Sequence, residues 1–298
     1  MRYHHAIRNN DRNINVLIEE YQTKFLRTLI GYKLDHKEMN NDNFIQIVEH
    51  SIDKMMDLKD DFIHFVEIVI NTDCCNNNFF TDFCEKILQT YEDNNIDINM
   101  SDDIIGISYD NYRYFNLDLF LSLSAILIEN NKFNILNDLL KSPFLVESDR
   151  YRQTRTYNFT QFNQYNYTIE KYKKNRSESK PYTEIGIKIE ENAKAIKFRK
   201  IIKADIMLYY LSLLYSCKNY EWNYWIPYTS VFNNQVEILP KLISKRYFEK
   251  AKVLFSVNTI EEYKQKISQI KQPQNLGYMF QIPMITAGLM TDKVGSIE

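Results

Sequence analysis

Six glycines and six prolines in 298 residues leave this chain short of the residues that make tight turns. A fold built from many short strands needs a turn at every strand end. The scarcity of both residue types therefore points to a mainly helical architecture. The length suits one large domain or two small ones, enough to bury a core without disulfides or metals.

The apolar spacing fits that expectation. Ile14, Leu17, Tyr21, Phe25 and Leu29 recur at helical intervals within residues 11–33, and Gly31 stands near their end as a stop signal. Segments 42–57, 59–71 and 79–91 follow as three further helices. Residues 112–130 are apolar on nearly every side and read as the central helix. "FNILNDLLK" completes a helical hairpin with it, and a long helix resumes near Ile189. Thr259 with Glu262 three residues on forms a capping box for the last helix, which runs to about 270. The expected whole is mainly α, about ten packed helices with a small inserted β-hairpin near 150–188. We expect a single helical domain over 1–270, with a seam at 92–107, and an extended C-terminal arm over 271–298.

Composition excludes several functions. The formal net charge is −2, so the whole chain is not a polyanion binder and a nucleic-acid site would have to be a local patch. "MRYHHAIRNN" has no apolar core of a secretory signal, and the longest apolar runs fall short of the roughly 20 residues that span a bilayer. Together with four cysteines in no disulfide-like pattern, these features predict a cytoplasmic, reduced protein. The abundance of Tyr, Phe, Asn, Ile and Lys follows AT-rich codon usage, which lowers the weight of any single tyrosine.

The search for chemistry is largely negative. The glycines are scattered, so no phosphate-binding loop can be built from them. His36, His50, His64, Cys74, Cys75 and Cys84 lack the spacing of a metal site, and His64 beside an apolar helix face reads as structural. Asp149, Glu178 and Lys180 match a nuclease-like pattern, but without the β-branched strand that would hold it. No catalytic residue, metal or cofactor is assigned, and the reading leans away from an enzyme. Trp222, Tyr224, Trp225 and Tyr228 form an aromatic group that could line a pocket or interface, with core packing at a helix junction the favoured reading.

One stretch stands apart. Between Asp149 and Lys180 lie eight Lys and Arg against three Asp and Glu, interleaved with five Tyr and two Phe. Arg150, Arg152, Arg155, Lys171, Lys173, Lys174 and Arg176 are candidate contacts for a partner or for a single-stranded nucleic acid. Period-two alternation at Tyr157 and Phe159, and again at Tyr165, Tyr167 and Ile169, favours an inserted hairpin. "YTEIGIKI" reads as a third short strand.

Two segments, "YRYFNLDLFLSLSAILIENNKFNILNDLLKSPFLV" and "IIKADIMLYYLSLLYS" followed by "LISKRYFEKAKVLFSVNTIEEYKQKI", carry a resemblance. The arrangement over about 45–270 resembles the helical regions that follow TIR-like (SEFIR-type) domains in bacterial, anti-phage proteins. In such proteins the enzymatic part is the TIR-like domain. Here the helical pattern starts near residue 11, so no catalytic residue carries over. The resemblance implies a sensing, scaffolding or oligomerisation module with a protein partner or further copies of itself. The alternative is a nucleic-acid-binding protein or divergent nuclease that uses segment 149–180.

Overall fold

The computed structural model describes residues 14–35, 39, 43–71, 78–92, 107–148, 153–172, 184–215, 224–230, 232, 238–270 and 291–298. The architecture is mainly helical with one two-stranded antiparallel sheet among the described residues. The chain divides into two compact units, residues 1–123 with 138–174 and residues 124–137 with 175–298. The expected seam over 92–107 lies almost wholly outside the described residues. No helix among the described residues is long and apolar enough to cross a membrane.

The first unit contains α1 (Ile14–Ile30), α2 (Phe44–Asn71), α3 (Phe79–Glu92), most of α4 (Asp110–Glu129), the end of α5 (Phe133–Lys141), and strands β1 (Phe144–Ser148) and β2 (Gln153–Tyr157). Its core is aromatic. Tyr21 stacks on Phe65 at 3.8 Å between ring centroids, and Phe25 meets Phe83 edge-on at 5.1 Å. Such pairs add directional attraction to the area they bury.

The predicted break between 57 and 59 is absent, because α2 is one helix of 28 residues. The two expected segments, 42–57 and 59–71, run on through the charged stretch around Lys59. Lys59 is buried and its ammonium donates to Asp118 of α4 at 2.7 Å. The buried positions Val48, Ile52, Met55, Lys59, Phe62, Val66 and Val69 therefore hold one continuous stripe.

Every residue of α4 from Asp110 to Ile128 except Arg113 is buried, as its all-round apolarity predicts. Two polar residues of its first turn find partners nearby. The Asn111 amide donates to the Tyr32 carbonyl and to Ser51 Oγ, both at 2.9 Å, and the Tyr112 hydroxyl donates to the Leu29 carbonyl at 3.0 Å. These bonds close the chain reversal after α1.

The hairpin exists, but its strands lie upstream of the alternating tyrosines. Phe144 pairs with Tyr157 and Ser148 with Gln153. Residues Phe159–Phe162 instead form a short 3₁₀ turn capped by Asn158, whose Oδ1 accepts from the Thr160 N–H at 2.8 Å. Thr168–Tyr172 is a π-helical turn. The alternation came from a half-buried irregular segment: Phe162 stacks on Phe120 at 4.5 Å while Tyr167 faces out.

The second unit holds the end of α4, the start of α5, and then α6 (Glu184–Glu191), α7 (Phe198–Tyr215), α8 (Ile238–Lys241), α9 (Lys245–Phe255) and α10 (Ile260–Ser268). Asn131 turns the α4–α5 corner at φ 54°, in the left-handed region that asparagine tolerates. "YTEIGIKI" is helical from Glu184 onward rather than a strand. Residues 184–189 are all buried, so the every-second-residue isoleucines carry no information about period. The expected single helix from Ile189 is two helices interrupted at 192–197.

Residues 271–290 of the expected arm lie outside the described residues. The remainder is stitched to the fold: the Gly295 and Ile297 N–H groups donate to the Leu242 and Ile243 carbonyls, and the Lys245 N–H donates to the Ile297 carbonyl at 2.7 Å. Gly295 takes φ 68°, and a Cβ there would collide with the Ile260 side chain.

The capping box at α10 forms with a shift. Thr259 Oγ1 accepts from the Glu262 N–H at 3.1 Å, while the Glu262 carboxylate reaches the Asn258 N–H at 2.7 Å, one residue earlier than the standard pattern. Thr259→Ala should lower stability by about 1 kcal/mol, read as a shift in the urea midpoint. An unchanged midpoint would show that the Glu262 arm alone suffices.

Candidate functional site

The hairpin is the exposed irregular element of the first unit, and its two edges differ. β1 faces α3, which closes that edge with side chains. The Leu145 N–H donates to Glu85 Oε2 at 2.7 Å and the Glu147 N–H to Gln89 Oε1 at 2.8 Å. The Gln89 amide returns a bond to the Glu147 carbonyl at 2.9 Å. Leu145 and Glu147 thus point their backbone groups away from β2. The ladder bonds must then fall at Phe144 with Tyr157, Val146 with Arg155 and Ser148 with Gln153.

The same parity fixes β2. Gln153, Arg155 and Tyr157 turn their backbone groups toward β1, and Thr154 and Thr156 turn theirs outward. Both threonines are exposed, and among the described residues these outward groups have no hydrogen-bond partner. The outer edge of β2 is an open template for another strand. The outer face carries Thr154, Thr156, Glu147 and Leu145, the last 53% exposed, while Phe144 and Val146 are buried on the opposite face.

The chain after β2 is held by α4. Asp110 is buried in the first turn of α4. Its Oδ1 accepts from the Arg113 guanidinium at 2.8 Å and its Oδ2 from the Thr168 N–H. The Asn166 amide donates to the Asp110 carbonyl at 2.6 Å, and Arg113 Nε also reaches Tyr91 and Gln164 at 3.3 Å. Burial pushes the Asp110 carboxyl up from its ordinary range, opposed by Arg113 and the Thr168 bonds. The Arg113 guanidinium lies 5.9 Å from the centre of the Tyr167 ring, which meets Tyr165 edge-on and is 42% exposed.

Of the basic candidates, Arg155 sits half-buried at the middle of β2, with Nη1 at 3.5 Å from the Tyr157 hydroxyl. Lys171 belongs to the π-helical turn Thr168–Tyr172. Arg150, Arg152, Lys173, Lys174 and Arg176 lie outside the described residues, as do Asp149, Glu178, Lys180, His36, Cys74 and Cys75. His64 is exposed, 3.8 Å from Glu67, and Cys84 is a buried thiol. Among the described residues no three His, Cys, Asp or Glu side chains converge as a metal site would require.

In the second unit, Trp225 and Tyr228 are fully buried and Tyr224 half-buried. Trp222 lies outside the described residues. Trp225 Nε1 donates to Asp205 Oδ1 at 2.6 Å, and the Thr229 N–H and hydroxyl both donate to Asp205 Oδ2 at 2.7 Å. The Trp225 N–H donates to Ser212 Oγ at 3.0 Å. These side chains pin segment 224–230 onto α7. Burial pushes the Asp205 carboxyl up to about 6, against the pull of its three donors. An open cleft of about 500 Å³ lies elsewhere in this unit, with Lys241, Arg246 and Lys250 around Ile243, Tyr247 and Ile297.

The open edge was missed because "FLVES" reads as the close of a helical hairpin. The available signal was the β-favouring "QTRTY", in which Thr and Tyr alternate with polar residues. Comparison with known proteins adds no relative: no family model, curated protein or solved structure matches the chain.

Proposed function

We propose that this chain is a non-enzymatic interaction module that takes up a partner by strand addition along the outer edge of β2. The observation that carries this reading is the pair of exposed, unpartnered backbone positions at Thr154 and Thr156, on a strand whose sister edge is closed by Glu85 and Gln89. Main-chain bonding to an exposed sheet edge is a recurrent mode of peptide recognition. The buried carboxylates support a non-catalytic role, since Asp110, Asp118 and Asp205 each hold backbone or a buried cation in place. The resemblance to helical regions following TIR-like domains supports a setting in the bacterial cytoplasm, in anti-phage defence.

A second reading, contact with a single-stranded nucleic acid, is favoured by the exposed Tyr167 ring beside Arg113. One experiment separates the two. Partner capture with the full chain is compared with Thr156→Pro and with a variant neutralised at Lys171, Lys173, Lys174 and Arg176. Proline removes an outward N–H that the hairpin does not use, and edge strands tolerate it there. Loss of the protein partner in Thr156→Pro, with the far-ultraviolet spectrum retained, is the expected result. Binding to single-stranded DNA that weakens steeply between low and moderate salt and survives Thr156→Pro would favour the second reading. A monodisperse monomer that captures neither would sink both.

A further inference from the structure

We infer that the second unit binds a phosphate monoester with an apolar body, in the cleft that α8, α9 and residues 291–298 form. The inference goes beyond strand addition at β2 and does not depend on it.

The cleft has walls fixed by backbone bonds. Its volume is about 500 Å³, within the range of small-molecule sites. The Ile297 N–H donates to the Ile243 carbonyl at 3.0 Å, and the Lys245 N–H donates to the Ile297 carbonyl at 2.7 Å. Ser244 caps α9, its Oγ accepting from the Tyr247 N–H at 3.3 Å. The Lys245 and Tyr247 N–H groups are thus occupied. Side chains, not the start of α9, must recognise a ligand here.

The lining has two chemistries. Pro240, Ile243 and Ile297 supply apolar surface, and Ile297 is 61% exposed. A ligand that covers this surface removes it from water. Around it stand Lys241, Arg246 and Lys250, and among the described residues no carboxylate lines the cleft. The Lys241 ammonium lies 5.6 Å from the centre of the Tyr247 ring, close enough for a cation–π attraction to hold it on this side of α9. Arg246 and Lys250 stand four residues apart on α9, and neither side chain has a partner among the described residues. Like charges at that spacing repel each other.

Elsewhere in the unit, cations meet carboxylates. Glu129, whose charge bears on Tyr247, is engaged by Lys200 and Lys203 at 3.8 and 3.5 Å. Glu249 is engaged by Lys252 at 2.7 Å. Arg246 and Lys250 have no such match, and an anion from outside the chain supplies it.

The cleft fits a phosphate monoester best. Such a group carries a charge of about −1.5 to −2 near neutrality, with three acceptor oxygens. A guanidinium can fork two of those oxygens, while ammonium groups act as point charges. A carboxylate would bring a single charge to three cations. Inorganic phosphate would leave Ile243 and Ile297 in water, and an apolar body on the ester covers them. A free organic phosphate and a phospholipid headgroup share this chemistry.

The test uses isothermal titration calorimetry on the full chain. The probes are octyl phosphate, octyl glucoside, octyltrimethylammonium and inorganic phosphate, each kept below micelle formation. Octyl phosphate should bind at least about tenfold more tightly than each of the others. Arg246→Gln with Lys250→Gln should weaken octyl phosphate by about tenfold or more, through lost charge-assisted bonds. Both residues are exposed, so the melting temperature of this double variant should not fall. Ile297→Ser should weaken octyl phosphate by about threefold and leave inorganic phosphate unchanged. Two further arms name the source and uphold the site in either case. Binding of adenosine monophosphate that the double variant loses assigns a free organic phosphate. Flotation with phosphatidylcholine vesicles only when they contain phosphatidic acid, lost in the double variant, assigns a lipid headgroup.

Octyltrimethylammonium binding as tightly as octyl phosphate would reduce the cleft to an apolar surface and overturn the inference. Inorganic phosphate binding as tightly as octyl phosphate would remove the apolar body and overturn it too. So would the failure of octyl phosphate to bind, or binding that the double variant retains in full.

Discussion

Lys59→Met should lower the stability of the chain by about 3–5 kcal/mol, the range for removing one partner of a buried ion pair. Lys59 and Asp118 are both shielded from solvent, and their contact at 2.7 Å joins the middle of α2 to α4. Burial raises the Asp118 carboxyl above its ordinary range, and Lys59 is the principal influence holding it down. Without Lys59 the carboxyl must either stay charged in an apolar setting or take up a proton. The sign follows. With its folded pKa raised further, Asp118 favours the folded state at acid pH and loses that contribution as pH rises, so the deficit of Lys59→Met is smallest in acid and largest near neutrality. The double variant Lys59→Met with Asp118→Leu should recover most of the loss, because two apolar side chains leave no charge to solvate. Urea unfolding followed by circular dichroism, repeated across pH, checks both. A single variant as stable as the wild type at neutral pH would show that water reaches this pair.

Asp205→Ala should cost about 4 kcal/mol. The substitution strands three buried donors, the Trp225 indole N–H and the Thr229 N–H and hydroxyl, each worth about 1–3 kcal/mol when left unsatisfied and not fully additive. It should also release segment 224–230, read as a red shift and quenching of tryptophan emission from the buried Trp225. The pH dependence is separable. A carboxyl lifted from 3.8 to about 6 stabilises the fold fully below the unfolded value of 3.8 and loses that contribution as pH rises through 6. Wild type should therefore lose about 2 kcal/mol relative to Asp205→Asn between pH 4 and 7. Parallel stability curves for the two proteins over that range would show that Asp205 is already charged at pH 4 in the fold.

The sequence was most legible where local chemistry decides. α5 falls at Phe133–Lys141 as its one-sided apolar pattern requires, and Thr259 caps α10 as its spacing to Glu262 requires. It was least legible where the deciding partner is distant in the chain. Nothing local to Lys59 shows that it is buried; its partner Asp118 lies 59 residues away. Trp225 reads as core in preference to pocket, but its partner is not visible until Asp205, 20 residues upstream, is seen to accept its indole N–H. The strands were displaced in the reading because Phe144, Leu145 and Val146 are apolar enough to end a helix or begin a strand. The outward turn of Thr154 and Thr156 was hidden for the same reason. It is set by Glu85 and Gln89, about sixty residues earlier, which choose the parity of β1.

Those two side chains also set how many neighbours the hairpin can have. A sheet with two bare edges is divalent, and divalent units add to one another without limit. Here Glu85 and Gln89 occupy the first edge, so each chain offers a single valence. Association between copies through this hairpin must stop at a pair, whatever the concentration. The hairpin thereby keeps one open backbone edge while being a terminator, not a link, in any growing stack of strands.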